Sequence, residues 1–261
     1  MRFEDILKSV ADGRGQIPEG WGQGRAAFGG LVAAMAWEHL AQNLTDPGPV
    51  RSLAVSFVAP GEAGEARFEH ELLRQGKSAT QATARLIQGN QVRTMMLASF
   101  GRARESAIAI TPQPAPEAPA PDDCLPFPFI EGVTPDFTRH FEFRWSTSDL
   151  PMTGSGNGEI GGWVRLRAQQ QPAPSVAWLL ALVDAWPPAV LPMFRKPAPI
   201  SSLSWYLELV NPPGRPAPEG WWRYHAWTDA AADGYAFARA GLWGADGELV
   251  AISRQTVALF G

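Results

Sequence analysis

Two stretches of the chain are apolar almost all round, and each precedes segments in which apolar and polar residues alternate. In the first half, residues 28–44 predict a helix that begins with glycines and has apolar residues on nearly every face. Alternation and β-branched residues predict strands at 51–60, 66–78 and 79–101. A turn at Gly89-Asn90 divides the last of these segments into two strands.

The same order of elements recurs in the second half. Residues 174–188 predict a helix with Ser175 as its N-cap and the Pro187-Pro188 pair as its end. Predicted strands follow at 200–212, 220–230, 234–244 and 247–260. Because both helices are too apolar to lie on a surface, the pattern predicts a duplicated α+β fold in which a sheet wraps a buried helix in each half.

Prolines are concentrated between the two halves, in residues 111–129 (TPQPAPEAPAPDDCLPFPF). Such a run favours extended polyproline geometry and does not build a packed core by itself. The sequence therefore predicts an N-terminal domain at 1–104, a Pro-rich linker at 105–137 and a C-terminal domain at 138–261.

The composition excludes several classes of function. The net charge is −4 without any basic block, so a nucleic-acid partner has little electrostatic support. Cys124 is the single cysteine and the four histidines are dispersed, so neither a disulfide nor a metal site is expected. The N-terminus lacks the apolar core of a signal peptide, and the longest apolar run is too short to cross a bilayer. A cytoplasmic protein without a membrane partner is expected.

Gly76-Lys77-Ser78 matches the last residues of a phosphate-binding loop, G-x-x-x-x-G-K-[ST]. The first glycine of that motif would fall on Glu71, and a strand pattern follows where the motif requires a helix. We therefore interpret the tripeptide as the entry into a long strand, where glycine permits a bend.

Asp184 is the clearest candidate for chemistry, because every neighbour in AWLLALVDAW is apolar. Burying a lone carboxylate is costly unless it is hydrogen-bonded or paired. The residue also lies late in its helix, where the macrodipole disfavours negative charge. Either the site has a function, or Asp184 lies on an exposed stripe or bonds a Trp or Arg near the helix end.

Gln255 is the second candidate. The last predicted strand places it on one face with Ala251, Ser253, Val257 and other apolar residues, so the amide is expected to turn toward the helix. A buried amide must find partners. It either joins a site with Asp184, across a gap one water molecule wide, or bridges strands structurally.

In order and spacing, FGG at 28–30, LRQGKS at 73–78, the helix aspartate and the final S-x-Q resemble the acyl-CoA thioesterase II family. The resemblance extends over about residues 20–104 and 138–261. It implies a double hotdog fold of the α+β class, with two tandem helix-wrapped antiparallel sheets forming one continuous sheet.

The resemblance also implies an activity. An acyl-CoA would be hydrolysed to free acid and coenzyme A by a water held by Asp184, Gln255 and Ser202, with no cofactor and no metal. Strict alternation places Ser202 on the face opposite Leu203, so either both sheet faces are used, a bulge shifts the register, or Ser201 takes this role. Which of Ser201, Ser202 and Ser204 faces the site stays open.

Substrate-binding residues are implied less specifically. Arg74 or Lys77 would contact a phosphate of coenzyme A, unless they are surface cations of a solvated turn. The amides of Gly29 and Gly30 would polarise the thioester carbonyl, unless these glycines only permit close packing.

A second function class remains open at this point. A duplicated hotdog could bind acyl-CoA or a hydrophobic ligand without turnover, and an exposed Asp184 or an outward Gln255 would indicate it. Hydration of an enoyl-CoA is disfavoured because no histidine precedes His39 in the first helix. Edge strands of such sheets pair across subunits, which leaves a homodimer or homotetramer open.

Overall fold

The computed structural model describes residues 1–10, 12–147, 149–167, 174–212, 218–244 and 247–260. Three α-helices lie within these ranges: α1 (Phe3–Lys8), α2 (Gly29–Asn43) and α3 (Val176–Asp184). The two long apolar helices were both predicted, and Ser175 caps α3 as expected, because its side chain accepts a hydrogen bond from the backbone N–H of Trp178. Short 3₁₀ turns lie at Pro121–Asp123, Asp136–His140, Leu191–Met193 and Pro218–Gly220.

The described strands are β1 (Arg14–Ile17), β2 (Gly22–Gln23), β3 (Ala26–Ala27), β4 (Val50–Phe57), β5 (Gly64–Gln75), β6 (Ala79–Gln88), β7 (Gln91–Gly101), β8 (Leu125–Phe127), β9 (Phe141–Trp145), β10 (Glu159–Leu166), β11 (Ile200–Leu209), β12 (Trp222–Ala232), β13 (Tyr235–Trp243) and β14 (Leu249–Leu259). Apart from the β2–β3 pair, they form one sheet in the order β1-β5-β6-β7-β4-β11-β14-β13-β12-β10-β9-β8.

The four strands next to the centre follow the same order on either side. β4 and β11 pair antiparallel at the middle, and each continues outward through the last strand of its own half, β7 or β14. β6 and β5 then follow on one side, and β13 and β12 on the other. The predicted double hotdog with one continuous sheet is confirmed.

The two helices fill the space that the sheet encloses. α2 is buried from Gly30 to Trp37, and α3 is buried from Ala177 to Val183. Each large apolar side chain that is fully buried contributes about 1.5–3 kcal/mol relative to exposure, so these helices form the centre of the core. The start of α2 meets the last turn of α3, because a Cβ on Gly30 would lie 3.1 Å from the Cα of Ala181.

The Pro-rich segment contributes to the sheet. β8 pairs with β9 at one edge, where Pro126 needs no ladder partner on its open side. Before β8, the indole N–H groups of Trp163 and Trp243 donate to the carbonyls of Pro119 and Gln113 at 3.0 and 3.1 Å. The boundaries 1–104, 105–137 and 138–261 remain a prediction.

Candidate active site

Asp184 is the last residue of α3, and its carboxylate is held by two donors. The Nε2 of Gln255 donates to Oδ1 at 2.7 Å, and the backbone N–H of Gly30 donates a second hydrogen bond. Asp184 and Gln255 are therefore neighbours, as the sequence predicts. The expected gap one water molecule wide is wrong, because the two side chains touch directly.

The carboxylate lies at the start of α2, which explains how the fold tolerates it. The first N–H groups of a helix lack partners within the helix, and Phe28 at the N-cap position has no side chain that could accept from them. Asp184 takes the place of a capping side chain. The dipole of α2 favours its negative charge, which offsets the unfavourable dipole of α3.

Gly29 and Gly30 make this contact possible. A Cβ on Gly29 would lie 2.7 Å from Oδ2 of Asp184 and 3.1 Å from the ring of Phe57. A Cβ on Gly30 would lie 2.5 Å from the ring of Phe28. Glycine is therefore required at both positions for packing, and the N–H of Gly30 is already occupied by the carboxylate.

Burial raises the pKa of Asp184 to about 7, although the hydrogen bonds from Gln255 and Gly30 oppose this rise. Asp184 as a whole residue is partly rather than fully buried. A carboxylate with a pKa near neutrality can both accept and release a proton at physiological pH.

Gln255 lies on the inner face of β14, paired with Trp205 of β11 and Ala238 of β13. It opens onto a small pocket between β12, β13 and β14 and the chain that follows α3. The pocket is lined by Pro187, Pro188, Ala189, Tyr224, Ala226, Ala238, Arg239, Ala240, Ser253 and Gln255. Most of these residues are small or apolar, so the pocket offers an apolar floor beside the polar pair.

The position of Ser202 depends on a bulge in β11. The register with β14 shifts between Ser202 and Ser204, so Leu203 is an additional residue and is 42% exposed. Ser202 is thereby brought to the inner face of the strand and is partly buried, whereas Ser201 and Ser204 are exposed.

Ser202 pairs with Val257, two residues from Gln255 on the same face. Such diagonal neighbours have Cα atoms about 7–8 Å apart, which one water molecule can bridge. The backbone therefore allows the three predicted residues to share one space. Among the described residues, the partners of the Asp184 carboxylate are Gln255 and Gly30, and the hydroxyl of Ser202 is not one of them.

Both halves of the chain match family models. Residues 17–101 match the acyl-CoA thioesterase N-terminal domain, and residues 121–259 match the acyl-CoA thioesterase C-terminal domain. The chain belongs to the acyl-CoA thioesterase family. This membership confirms the resemblance seen in the sequence and makes the protein a thioester hydrolase with an acyl-CoA as its class of substrate.

Solved structures show the same fold along the whole thioesterase chain. A hot dog fold protein from Alicyclobacillus acidocaldarius has a TM-score of 0.86 at 23% identity, covering 99% of this chain and 98% of its own. The acyl-CoA thioesterase II TesB2 from Mycobacterium marinum has a TM-score of 0.75 at 22% identity, covering 99% and 98%. The tesB protein of Mycobacterium avium subs paratuberculosis has a TM-score of 0.75 at 18% identity, covering 100% of both chains. Comparison with curated proteins gives no match.

The described residues of the first half of this thioesterase hold no counterpart of the polar pair. Glu38 of α2 accepts a hydrogen bond from Gln42 of the same helix at 2.7 Å. The inner face of β7 carries Met96, Ala98 and Phe100, which are all buried. The first half therefore contributes the start of α2 to the site, and the second half contributes the acid and the amide.

Arg74 and Lys77 lie elsewhere in the thioesterase. Gly76-Lys77-Ser78 connects β5 to β6, and the N–H of Gly76 donates to the carbonyl of Ala79. Gln255 pairs with a residue of β11, and the successive partners across β4 and β7 lead to Ala84 of β6, which therefore lies level with Gln255 across the sheet. The turn lies about 20 Å further along β6, at ~3.3 Å per residue. Both cations are exposed there, and their role in binding coenzyme A stays a prediction.

Two pocket residues were not among the sequence candidates. Ser253 accepts a hydrogen bond from Nε1 of Trp205 at 2.9 Å, and the alternation of β14 already places it on the face of Gln255. Tyr224 lies on the inner face of β12, between Trp222 and Ala226. Alternation in β12 predicts this orientation, but the approach of β12 to the end of α3 is a tertiary contact that no local pattern indicates.

Two further observations concern other classes of site. Within the described residues, no group of His, Cys, Asp and Glu side chains is arranged to hold a metal ion. None of the helices described has the length and apolar character needed to cross a bilayer.

Proposed function

We propose that the protein hydrolyses an acyl-CoA to a free acid and coenzyme A by direct attack of a water held by Asp184, Gln255 and Ser202. The hydrogen bond of 2.7 Å between Gln255 and Asp184 is the observation that carries this proposal. It fixes a buried carboxylate beside an apolar pocket in a chain of the acyl-CoA thioesterase family.

The carboxylate acts as the general base. Asp184 removes a proton from the water while the water oxygen bonds to the thioester carbon. The tetrahedral intermediate then expels the thiolate, which takes up the proton. A pKa near 7 suits both steps, since the best base is half ionised near the working pH.

Gln255 orients the base and Ser202 orients the water. One N–H of the Gln255 amide donates to Asp184, and the carbonyl oxygen of the amide would accept a hydrogen bond from the water. Ser202 would approach the same water from the neighbouring strand, on the side of the bulge. The pocket, at about 10 Å³, has room for one water molecule beside Gln255, and Arg74 and Lys77 are assigned to a phosphate of coenzyme A.

Thiol release from a panel of acyl-CoAs tests the proposal. Asp184→Asn keeps the size of the side chain but removes the base, and we expect kcat to fall about 10²- to 10⁴-fold. Glu38→Gln makes the same chemical change in the first half and should leave kcat unchanged. Full turnover by Asp184→Asn would remove Asp184 from the mechanism.

The same panel distinguishes a hydrolase from a protein that only binds acyl-CoA. A protein that binds acyl-CoA without turnover would show saturable binding by calorimetry and no thiol release with any member of the panel. Turnover that the Asp184→Asn substitution abolishes would exclude it.

A further inference from the structure

Tyr224 is a buried titratable residue that the mechanism above does not use. It lies on β12, paired with Gly162 of β10 and Leu242 of β13, and it is 6% exposed. It lines the pocket together with Ser253 and Gln255. A phenol thus faces the same space as the amide that holds the proposed base.

The ring of Tyr224 is fixed by aromatic packing. It stacks on Trp186 with a centroid distance of 5.2 Å and an interplanar angle of 6°. Trp186 lies two residues after Asp184 and packs in turn against Phe143 and Trp145. The chain segment that carries the acid therefore also sets the position of the phenol.

The hydroxyl of Tyr224 makes no hydrogen bond to another described side chain, and it is not one of the fully enclosed polar atoms that lack a partner, so it is open to the pocket that Tyr224 lines. A pocket lined by such a donor is suited to a molecule that brings an acceptor. A thioester offers one strong acceptor, its carbonyl oxygen.

Of the two amides considered for that oxygen, those of Gly29 and Gly30, the amide of Gly30 is already occupied. Helix N-termini often stabilise an oxyanion, but the N–H of Gly30 bonds to Asp184 in this fold. Burial, and then the charge of Asp184, raise the pKa of Tyr224. The hydroxyl therefore keeps its proton at neutral pH and remains a donor.

We infer that Tyr224 donates a hydrogen bond to the thioester carbonyl and stabilises the oxyanion formed when water adds, an assignment that rests on the proposed function. The proton stays on the phenol throughout. Negative charge develops on the carbonyl oxygen, and it returns to form the carbonyl when the C–S bond breaks and the thiolate leaves.

Tyr224→Phe removes the hydroxyl and keeps the ring that stacks on Trp186. We expect kcat for the best acyl-CoA of the panel to fall about 100-fold, with KM within twofold and the melting temperature unchanged. Tyr206→Phe is the matched control, because Tyr206 is 43% exposed on β11, which β14 and β13 separate from β12. A purely structural role would lower the melting temperature and leave kcat of the folded enzyme intact.

The infrared carbonyl stretch of a bound acyl-CoA gives a readout independent of turnover. In Asp184→Asn, which holds the thioester uncleaved, a hydrogen bond from Tyr224 lowers the frequency, and adding Tyr224→Phe should raise it. If wild type hydrolyses the panel but Tyr224→Phe changes neither kcat nor the carbonyl frequency, the inference about Tyr224 is wrong, and the proposed hydrolase function is unaffected. If wild type hydrolyses nothing, the proposed function fails. The carbonyl frequency of acyl-CoA bound to wild type is then compared with that in Tyr224→Phe alone, and the difference decides whether Tyr224 donates to the carbonyl. Absence of binding would overturn both.

Discussion

The two halves of the chain have the same strands around a similar helix, yet their interiors differ in polarity. In the second half, α3 ends in Asp184 and β14 presents Gln255, and these side chains bond to each other. In the first half, Glu38 bonds within its own helix and β7 presents Met96 and Ala98. Among the described residues, this polar pair therefore belongs to the second half and is not repeated in the first.

The apolar half is nevertheless part of the site. Its helix begins with Gly29-Gly30, which lets the carboxylate of Asp184 approach and supplies an N–H donor to it. A buried acid that would be unstable at the end of its own helix becomes tolerable at the start of the other. The difference between the halves is a division of roles: one half bears the acid and the other half stabilises it.

The largest expected effect is on stability and its pH dependence. Because burial raises the pKa of Asp184 from 3.8 to about 7, the native state binds more protons than the unfolded chain between these values. This group therefore lowers the free energy of unfolding as pH rises from 4 to 7, by on the order of 4 kcal/mol. The difference between wild type and Asp184→Asn, from urea unfolding at each pH, should follow this slope and level off above pH 7. Parallel curves would show that the carboxyl is not desolvated.

The next effect concerns the amide that the first half lacks. Gln255→Leu gives β14 an apolar inner face like that of β7, and we expect kcat to fall about 100-fold, or about 2.7 kcal/mol, because the base is no longer oriented. Gln81→Leu makes the same change at an exposed position of the first half and should leave kcat unaffected. Equal rates in thiol-release assays would mean that Gln255 only bridges strands.

A smaller effect is expected where the first half touches the acid. Gly29→Ala places a methyl group 2.7 Å from Oδ2 of Asp184, so the carboxylate must move and kcat should fall about 30-fold. Gly156→Ala is the control, because no atom lies within 4 Å of the added carbon. If Gly29→Ala retains the wild-type kcat, the contact between the halves is not needed for turnover.

The smallest effect is expected at the bulge. Ser202→Ala removes one hydrogen bond to the water, and kcat should fall about tenfold, as for the loss of ~1 kcal/mol. Ser204→Ala, on the exposed side of the same bulge, should leave kcat unchanged. Should Ser253→Ala lower kcat while Ser202→Ala does not, the water would be held from β14 instead.

The sequence predicted the parts of the fold that repeat a simple period. Both long helices and the four strands that follow each of them are visible as an apolar stretch and subsequent alternation. The peripheral elements were missed: α1 and the strands β1–β3 and β8–β10. β8 lies in a run that composition assigns to a linker, and it is a strand only because β9 lies beside it.

The site residues that could be predicted are those that stand out as polar side chains in apolar segments of the sequence. Asp184 and Gln255 are polar residues in apolar surroundings, so their positions are informative without any structure. Ser202 was not resolved, because one additional residue, Leu203, reverses the face of everything before it. Tyr224 was not predicted at all, since its proximity to the acid depends on how β12 curves past Trp186.

The peptide N–H that anchors the acid and the acid itself belong to different copies of the duplicated unit. Neither half supplies this contact alone. A substitution at Gly29 therefore acts on Asp184, more than a hundred positions away along the chain.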